Sequence, residues 1–246
     1  MALVKAKRGI SGYGQSIGIL VLDDFYPCIP GDVRNATTYS YPVTFKIVKG
    51  ATIHRVVYEP DSELIKSFIE AGKELVREGA KAITADCGYL ALIQKEMAAA
   101  LPVPVFMSSL MQIPLVSRML QPGQKVGNIA GADRTKITKK HLKAVGVDES
   151  MPVVVTAMEN CKEFMDSICH GKGTMDINLV EKEIVGVAKE LVSNNPDIGA
   201  IVLECSSFPP YAAAVQEATG LPVFDFITLI NMVHQAVCQR RYSGFM

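Results

Sequence analysis

Gly79–Tyr89 reads GAKAITADCGY and Ile198–Phe208 reads IGAIVLECSSF. Each is a short run of small and β-branched residues that ends in an acid and then a cysteine, which sets Cys87 and Cys205 118 positions apart in matching contexts. Two further matches flank this one. Leu101–Leu110 (LPVPVFMSSL) pairs with Leu221–Ile230 (LPVFDFITLI) at an offset of 120, and Ser16–Asp24 (SIGILVLDD) pairs with Lys125–Asp133 (KVGNIAGAD) at 109. Three matches in the same order mark a duplicated supersecondary unit.

Between these runs lie longer amphipathic segments, which is the alternation expected of βαβ units around parallel sheets. Buried strands are predicted at residues 16–22, 80–85, 103–107, 125–130, 151–156, 198–203 and 221–226. Helices are predicted at 62–78, 90–100, 136–145, 179–194, 210–219 and 227–240. The fold class is therefore α/β, with two similar lobes, each a parallel sheet flanked by helices, related by a pseudo-twofold and facing one another across a cleft.

Composition narrows the function. The 246 residues are 49% hydrophobic and 20% charged, with 25 Lys plus Arg against 25 Asp plus Glu, which disfavours disorder and a nucleic-acid or anionic-membrane partner held by bulk charge. Six irregularly spaced cysteines in a chain of this length read as reduced thiols, not a disulfide scaffold. No targeting segment is evident, so a cytoplasmic location is the expectation. Met97–Ser117 carries no charge over a length that could span a bilayer, but Pro102, Pro104 and Pro114 favour a buried strand with loops.

Ligands of open parallel sheets bind beyond the carboxyl ends of the strands. Cys87 and Cys205 each follow a predicted strand, so facing lobes bring both thiols to one cleft. The residues after them, Gly88 and Ser206, are expected at helix N-termini, where amides stabilise a substrate carboxylate and lower a thiol pKa. Two acid/base groups on opposite sides of a carbon acid suit proton removal from one face and return to the other. The competing reading is two buried core cysteines, and the matched placement weighs against it.

The chain resembles the aspartate/glutamate racemase superfamily. The resemblance rests on PGDVRNATTYSYPV from Pro30, ADCGYLALIQ from Ala85 and LECSSFPPYAAAVQEATGLPVFD from Leu203, and covers nearly the whole sequence. It implies a cofactor-independent isomerase, a racemase or epimerase of a small carboxylate such as an amino acid, with Cys87 and Cys205 as the thiolate/thiol pair. A hydantoin-type racemase and a maleate-type cis–trans isomerase share the scaffold, and a non-catalytic bilobed binding protein is the alternative of another class. Gly88 departs from the hydroxyl or amide residue common after the first cysteine of amino-acid racemases, and Ser207 replaces the His of glutamate racemases. The resemblance also implies a discontinuous first lobe, residues 1–118 plus 222–246, around a second lobe of residues 119–221.

Further substrate contacts are expected from Asp23 at the end of the first strand, with Asp133 at the corresponding place in the second half. Asn35 and Thr37 in the following loop, Ser108 after the third-lying strand, and Ser206 and Ser207 beside Cys205 complete the expected set. Asp86 and Glu204 precede the two thiols, and strand alternation points them away from their neighbours. No metal is expected: Cys161, Cys169 and His170 lie on a charge-rich segment that reads as a solvated helix face. The expected partner is a small-molecule carboxylate, with no cofactor, no nucleic acid and no membrane; a homodimer is a base-rate expectation.

Overall fold

The computed structural model describes residues 3–246; Met1 and Ala2, which open the expected first lobe, lie outside the described residues. The first sheet is built from β1 (Ile17–Leu22), β2 (Val43–Val48), β3 (Ala82–Ala85) and β4 (Val105–Phe106), with α1 (Leu64–Arg77), α2 (Gln94–Ala100) and α3 (Ile113–Ser117) in the connections. The second comprises β5 (Lys125–Ala130), β6 (Val153–Ala157), β7 (Ile198–Leu203) and β8 (Val223–Phe224), connected by α4 (Lys139–Ala144), α5 (Lys162–Phe164), α6 (Ile177–Asn194) and α7 (Ala212–Thr219). A last helix, α8 (Phe226–Val237), follows.

The strand orders are β2-β1-β3-β4 and β6-β5-β7-β8, and every pairing is parallel. The two sheets thus repeat one topology, as the duplicated segments require. β1 and β7 are buried at all six positions, the pattern of a parallel strand covered on both faces. β2 was not among the predicted strands. It is an edge strand, half-buried and carrying Lys46, whose ammonium meets Glu74 on α1, so it lacks the continuous apolar run by which buried strands are found.

Helices cover the sheets through regular apolar stripes. On α1, Leu64, Phe68, Ala71 and Leu75 are buried, and on α6, Val180, Ile184, Ala188 and Leu191. Asp176 caps α6 by accepting from the amides of Asn178 and Leu179. One apolar cluster runs from β1 and α1 into β5 and β7, so the lobes share a core instead of meeting at a wet seam.

The expected boundary at 221/222 falls ahead of β8, which hydrogen-bonds to β7, so the chain leaves the second sheet only after Phe224. Phe226, Leu229 and Ile230 of α8 then pack with Ile17, Ile19 and Ala82 of the first sheet. Met97–Ser117 folds into the end of α2, β4, a 3₁₀ turn and α3. Among the described residues no helix is long and apolar enough to cross a membrane.

Candidate active site

The carboxyl ends of β1, β3, β5 and β7 converge on one cavity enclosing about 470 Å³ of free space, mouth included. Cys87 and Cys205 both line it. Gly88, Tyr89, Asp86 and Ser206 come to it from the same two strand ends, with Glu204. Asp86 and Glu204 therefore do not point away from the thiols: β3 and β7 stop at Ala85 and Leu203, and the turns that follow bring acid and thiol to the same space.

The helix N-termini expected at Gly88 and Ser206 are absent. Residues 88–93 form a 3₁₀ turn before α2 starts at Gln94, and residues 209–211 form another before α7 starts at Ala212. Local donors replace the helix dipole. The backbone amides of Tyr89 and Ser207 favour the thiolates of Cys87 and Cys205, and Ser207 Oγ lies 3.2 Å from Cys205 Sγ. Burial nevertheless pushes both thiols well above the usual cysteine value, and the Glu204 carboxylate pushes them further. Both effects favour the thiol form over the thiolate.

The two acids differ in their surroundings. Asp86 accepts from the Leu22 amide at 3.1 Å and pairs with Arg34 Nε at 3.3 Å. Burial raises it to about 6 against the opposing pull of Arg34. Among the described residues Glu204 has no cationic partner. Its Oε2 accepts from the Gly131 amide at 2.9 Å, its Oε1 is buried without a hydrogen-bond partner among the described residues, and burial pushes it up to about 7 against the opposing pull of the Gly131 and Tyr89 amides. Gly88 and Gly131 make room for this arrangement. A Cβ on Gly88 would collide with Glu204 Oε1, and one on Gly131 would lie 3.0 Å from Cys205 Sγ. The glycine after the first cysteine is thus imposed by the opposite lobe.

Arg34 was not among the expected site residues, although it is the only Lys or Arg between Arg8 and Lys46. Its Nη2 donates to the carbonyls of Leu22 at 2.7 Å and Asp24 at 3.2 Å, and its guanidinium stacks 4.9 Å above the Tyr26 ring. Arg34 also lines the cavity. Phe164, Ile168 and Cys169 form the far wall from α5 and the π-helical turn after it. The segment expected as a solvated face therefore buries Cys161 and Phe164 and brings a third thiol to the cleft. Among the described residues no group of three His, Cys, Asp or Glu side chains is placed to hold a metal ion.

Several expected contacts lie elsewhere. Asp23 is exposed and accepts from the Gly50 amide; Asp24, one residue on, lines the cavity instead. Asn35 caps a 3₁₀ turn by accepting from the amide and hydroxyl of Thr37, which is exposed. Asp133 similarly caps Thr135. Ser108 is fully buried and accepts from the Leu110 amide. Ser206 Oγ donates to the Asp86 carbonyl and Ser109 Oγ to that of Leu203, so both tie one lobe to the other.

Two facing α/β lobes with a thiol from each in one cleft define the fold of the aspartate/glutamate racemase superfamily. Unliganded arylmalonate decarboxylase superposes with a TM-score of 0.58 at 14% identity over 92% of this chain and 94% of its own, and Picrophilus torridus aspartate racemase with 0.59 at 12% over 92% and 96%. No protein-family model matches the chain. Sequence similarity is more specific. The chain is 34% identical over 219 residues to the dimethylsulfoniopropionate lyase of Durusdinium sp. clade D, and 33% identical over 224 residues to dimethylsulfoniopropionate lyase 7 of Emiliania huxleyi (strain CCMP1516). These alignments cover 86% and 88% of this chain, which spans 71% and 65% of the length of the two relatives. The chain belongs to the dimethylsulfoniopropionate lyase family.

This corrects the activity expected from the superfamily. The isomerase reading, as racemase or epimerase or as its hydantoin-type and maleate-type variants, rests on the paired thiols and the superfamily resemblance, and one fold accommodates several reactions. The relatives of 33–34% identity are lyases.

Proposed function

We propose that this chain cleaves dimethylsulfoniopropionate by β-elimination, releasing dimethyl sulfide. The observation that carries the reading is the convergence of Cys87 and Cys205 on one cavity in a chain 34% identical to such a lyase. A proton α to a carboxylate is the atom a thiolate of this superfamily geometry is placed to remove. In a racemase the proton returns; with a sulfonium on the β-carbon, the electron pair has somewhere else to go.

Cys205 is the base. Its sulfur has both the Ser207 hydroxyl at 3.2 Å and the Ser207 amide to stabilise its anion, whereas Cys87 has the Tyr89 amide alone. The incoming sulfonium opposes the raised pKa of the thiol by its own positive charge. The Cys205 thiolate takes the α-proton and forms an S–H bond. The C–H pair becomes the C=C bond of acrylate, and the C–S bond breaks with its electrons on sulfur. The thiol then returns its proton to solvent. Dimethyl sulfide leaves neutral, so no acid is needed to protonate it. Arg34, whose guanidinium lines the cavity, anchors the carboxylate. The six free cysteines support action in a reducing, cytoplasmic compartment.

The test is incubation of the purified chain with dimethylsulfoniopropionate, with headspace measurement of dimethyl sulfide and quantitation of acrylate. Equimolar release that disappears in Cys205→Ser supports the reading. No dimethyl sulfide from the wild-type chain overturns it.

A further inference from the structure

We propose that Glu204 is the counter-charge for the onium centre of the bound substrate, making this a site for small carboxylates that carry a cation on the β-carbon. The inference rests on the proposed lyase reaction and concerns the pole of the substrate that the thiols and Arg34 do not handle.

The cavity wall carries three carboxylates, Asp24, Asp86 and Glu204, and one guanidinium, Arg34. Two of the acids are already matched. Asp86 is paired with Arg34 and with the Leu22 amide. Asp24 accepts from the Ile53 amide on the half-exposed rim. Glu204 alone is 1% exposed, lines the cavity, leaves Oε1 without a hydrogen-bond partner among the described residues and has only the Gly131 and Tyr89 amides to offset its charge. A buried carboxylate in that position is costly unless something in the site compensates it. A hydrogen-bonding ligand could not reach the shielded Oε1, but an onium group has no hydrogen to donate and interacts through space. Tyr89 and Phe164 add ring surface to the cavity lining, which suits a methylated cation.

The arrangement is also asymmetric in the way this substrate requires. The pseudo-equivalent acids precede the two thiols, yet only the one in the first lobe has an arginine. A zwitterion with its carboxylate at Arg34 and its cation at Glu204 is therefore oriented along the cleft in one sense only. Burial of Glu204 adds a pH signature. The groups that face it are the Cys87 and Cys205 thiols, the Tyr89 phenol and the Cys169 thiol, all held above the neutral range by burial, and beyond them the Arg34–Asp86 pair. Glu204 is raised to about 7 and the Arg34-paired Asp86 to about 6, while Asp32, also raised to about 7, does not line the cavity; cation affinity rises as Glu204 ionises.

The experiment compares two unreactive ligands of the same shape by calorimetry: 3-(trimethylammonio)propanoate and its uncharged carbon isostere 4,4-dimethylpentanoate. The wild-type chain prefers the onium ligand by on the order of tenfold or more at pH 8. That preference falls as pH drops from 8 to 6, while affinity for the isostere stays level. Glu204→Gln abolishes the preference and keeps isostere binding, Glu204→Asp retains it in part, and Asp24→Asn leaves it in place. A preference that survives Glu204→Gln, that is lost instead in Asp24→Asn, or that is independent of pH in the wild-type chain overturns the proposal, as does parallel loss of both ligands in Glu204→Gln. Because binding is read without turnover, failure here is distinguishable from absence of lyase activity.

Discussion

Gly88 and Glu204 come from opposite lobes and pack so closely that a methyl group at position 88 would overlap Glu204 Oε1 and lie 2.6 Å from its Cγ. The residue after the first thiol is therefore chosen by the acid before the second. Gly88→Ala or Gly88→Ser should displace Glu204 or the turn that carries Cys87. A shift of that kind lowers kcat/KM for dimethyl sulfide release by on the order of a hundredfold and costs about 1–3 kcal/mol of stability from overpacking. Steady-state kinetics and a urea unfolding curve on the same variant check both.

The two cysteines should be unequal. Elimination needs one base and no acid for the departing sulfide, so Cys205→Ser should lower kcat by about a thousandfold, whereas Cys87→Ser should lose less than about a hundredfold. Equal, complete inactivation by both substitutions would contradict the single-base mechanism.

Ser207 stabilises the anion of Cys205 through a hydroxyl 3.2 Å from the sulfur. Removing that donor disfavours the thiolate, so its pKa rises. In Ser207→Ala the acidic limb of the kcat/KM profile should move to higher pH by about one unit, with activity at neutral pH down about tenfold and little change at the alkaline end. A pH–rate profile of the variant tests this.

Arg34 and Asp86 form a pair whose side chains are 11% and 2% exposed. Arg34→Met strands a buried carboxylate and should destabilise the fold by about 3–5 kcal/mol, while the double variant Arg34→Met with Asp86→Asn should recover part of that loss. Denaturant unfolding of the single and double variants measures the coupling.

Burial raises Glu204 from 4.5 to about 7 and Asp86 from 3.8 to about 6. The folded chain then binds these protons more tightly than the unfolded chain does. Stability from these two groups is fully present below the unfolded values and is lost as pH rises through the folded ones. The thermal midpoint should be higher near pH 5 than near pH 8, and Glu204→Gln should narrow that difference by about a few degrees. Calorimetric scans at the two pH values decide it.

The parallel strands were legible because β1, β3, β5 and β7 are covered on both faces; β1 and β7 read as unbroken apolar runs, and β3 and β5, which carry Thr84 and Asn128, are matched to them by the duplication. β2 was not, because an edge strand mixes Lys46 with its apolar residues. Among the site residues, Cys87 and Cys205 stood out through the duplication, which ties each to a strand end. Asp23 was one residue from the cavity-lining Asp24, because strand parity is lost once the chain turns after Leu22. Arg34 looked like any loop cation, and its role depends on Asp86, 52 positions away, which fills its Nε. Cys169 enters the cleft only because the turn at Met165–Cys169 rolls its apolar side inward.

The sequence by itself determined the two-lobed α/β fold and the pairing of two thiols, since periodicity and duplication are properties of the chain read in order. Only the tertiary structure decided which acid is paired and which is not, why residue 88 is glycine, and where the cation of a substrate has its counter-charge. Those features depend on contacts distant in sequence, Arg34 with Asp86 52 positions apart within one lobe and Gly88 with Glu204 between the two lobes, and burial at such contacts sets the electrostatics that no local pattern encodes.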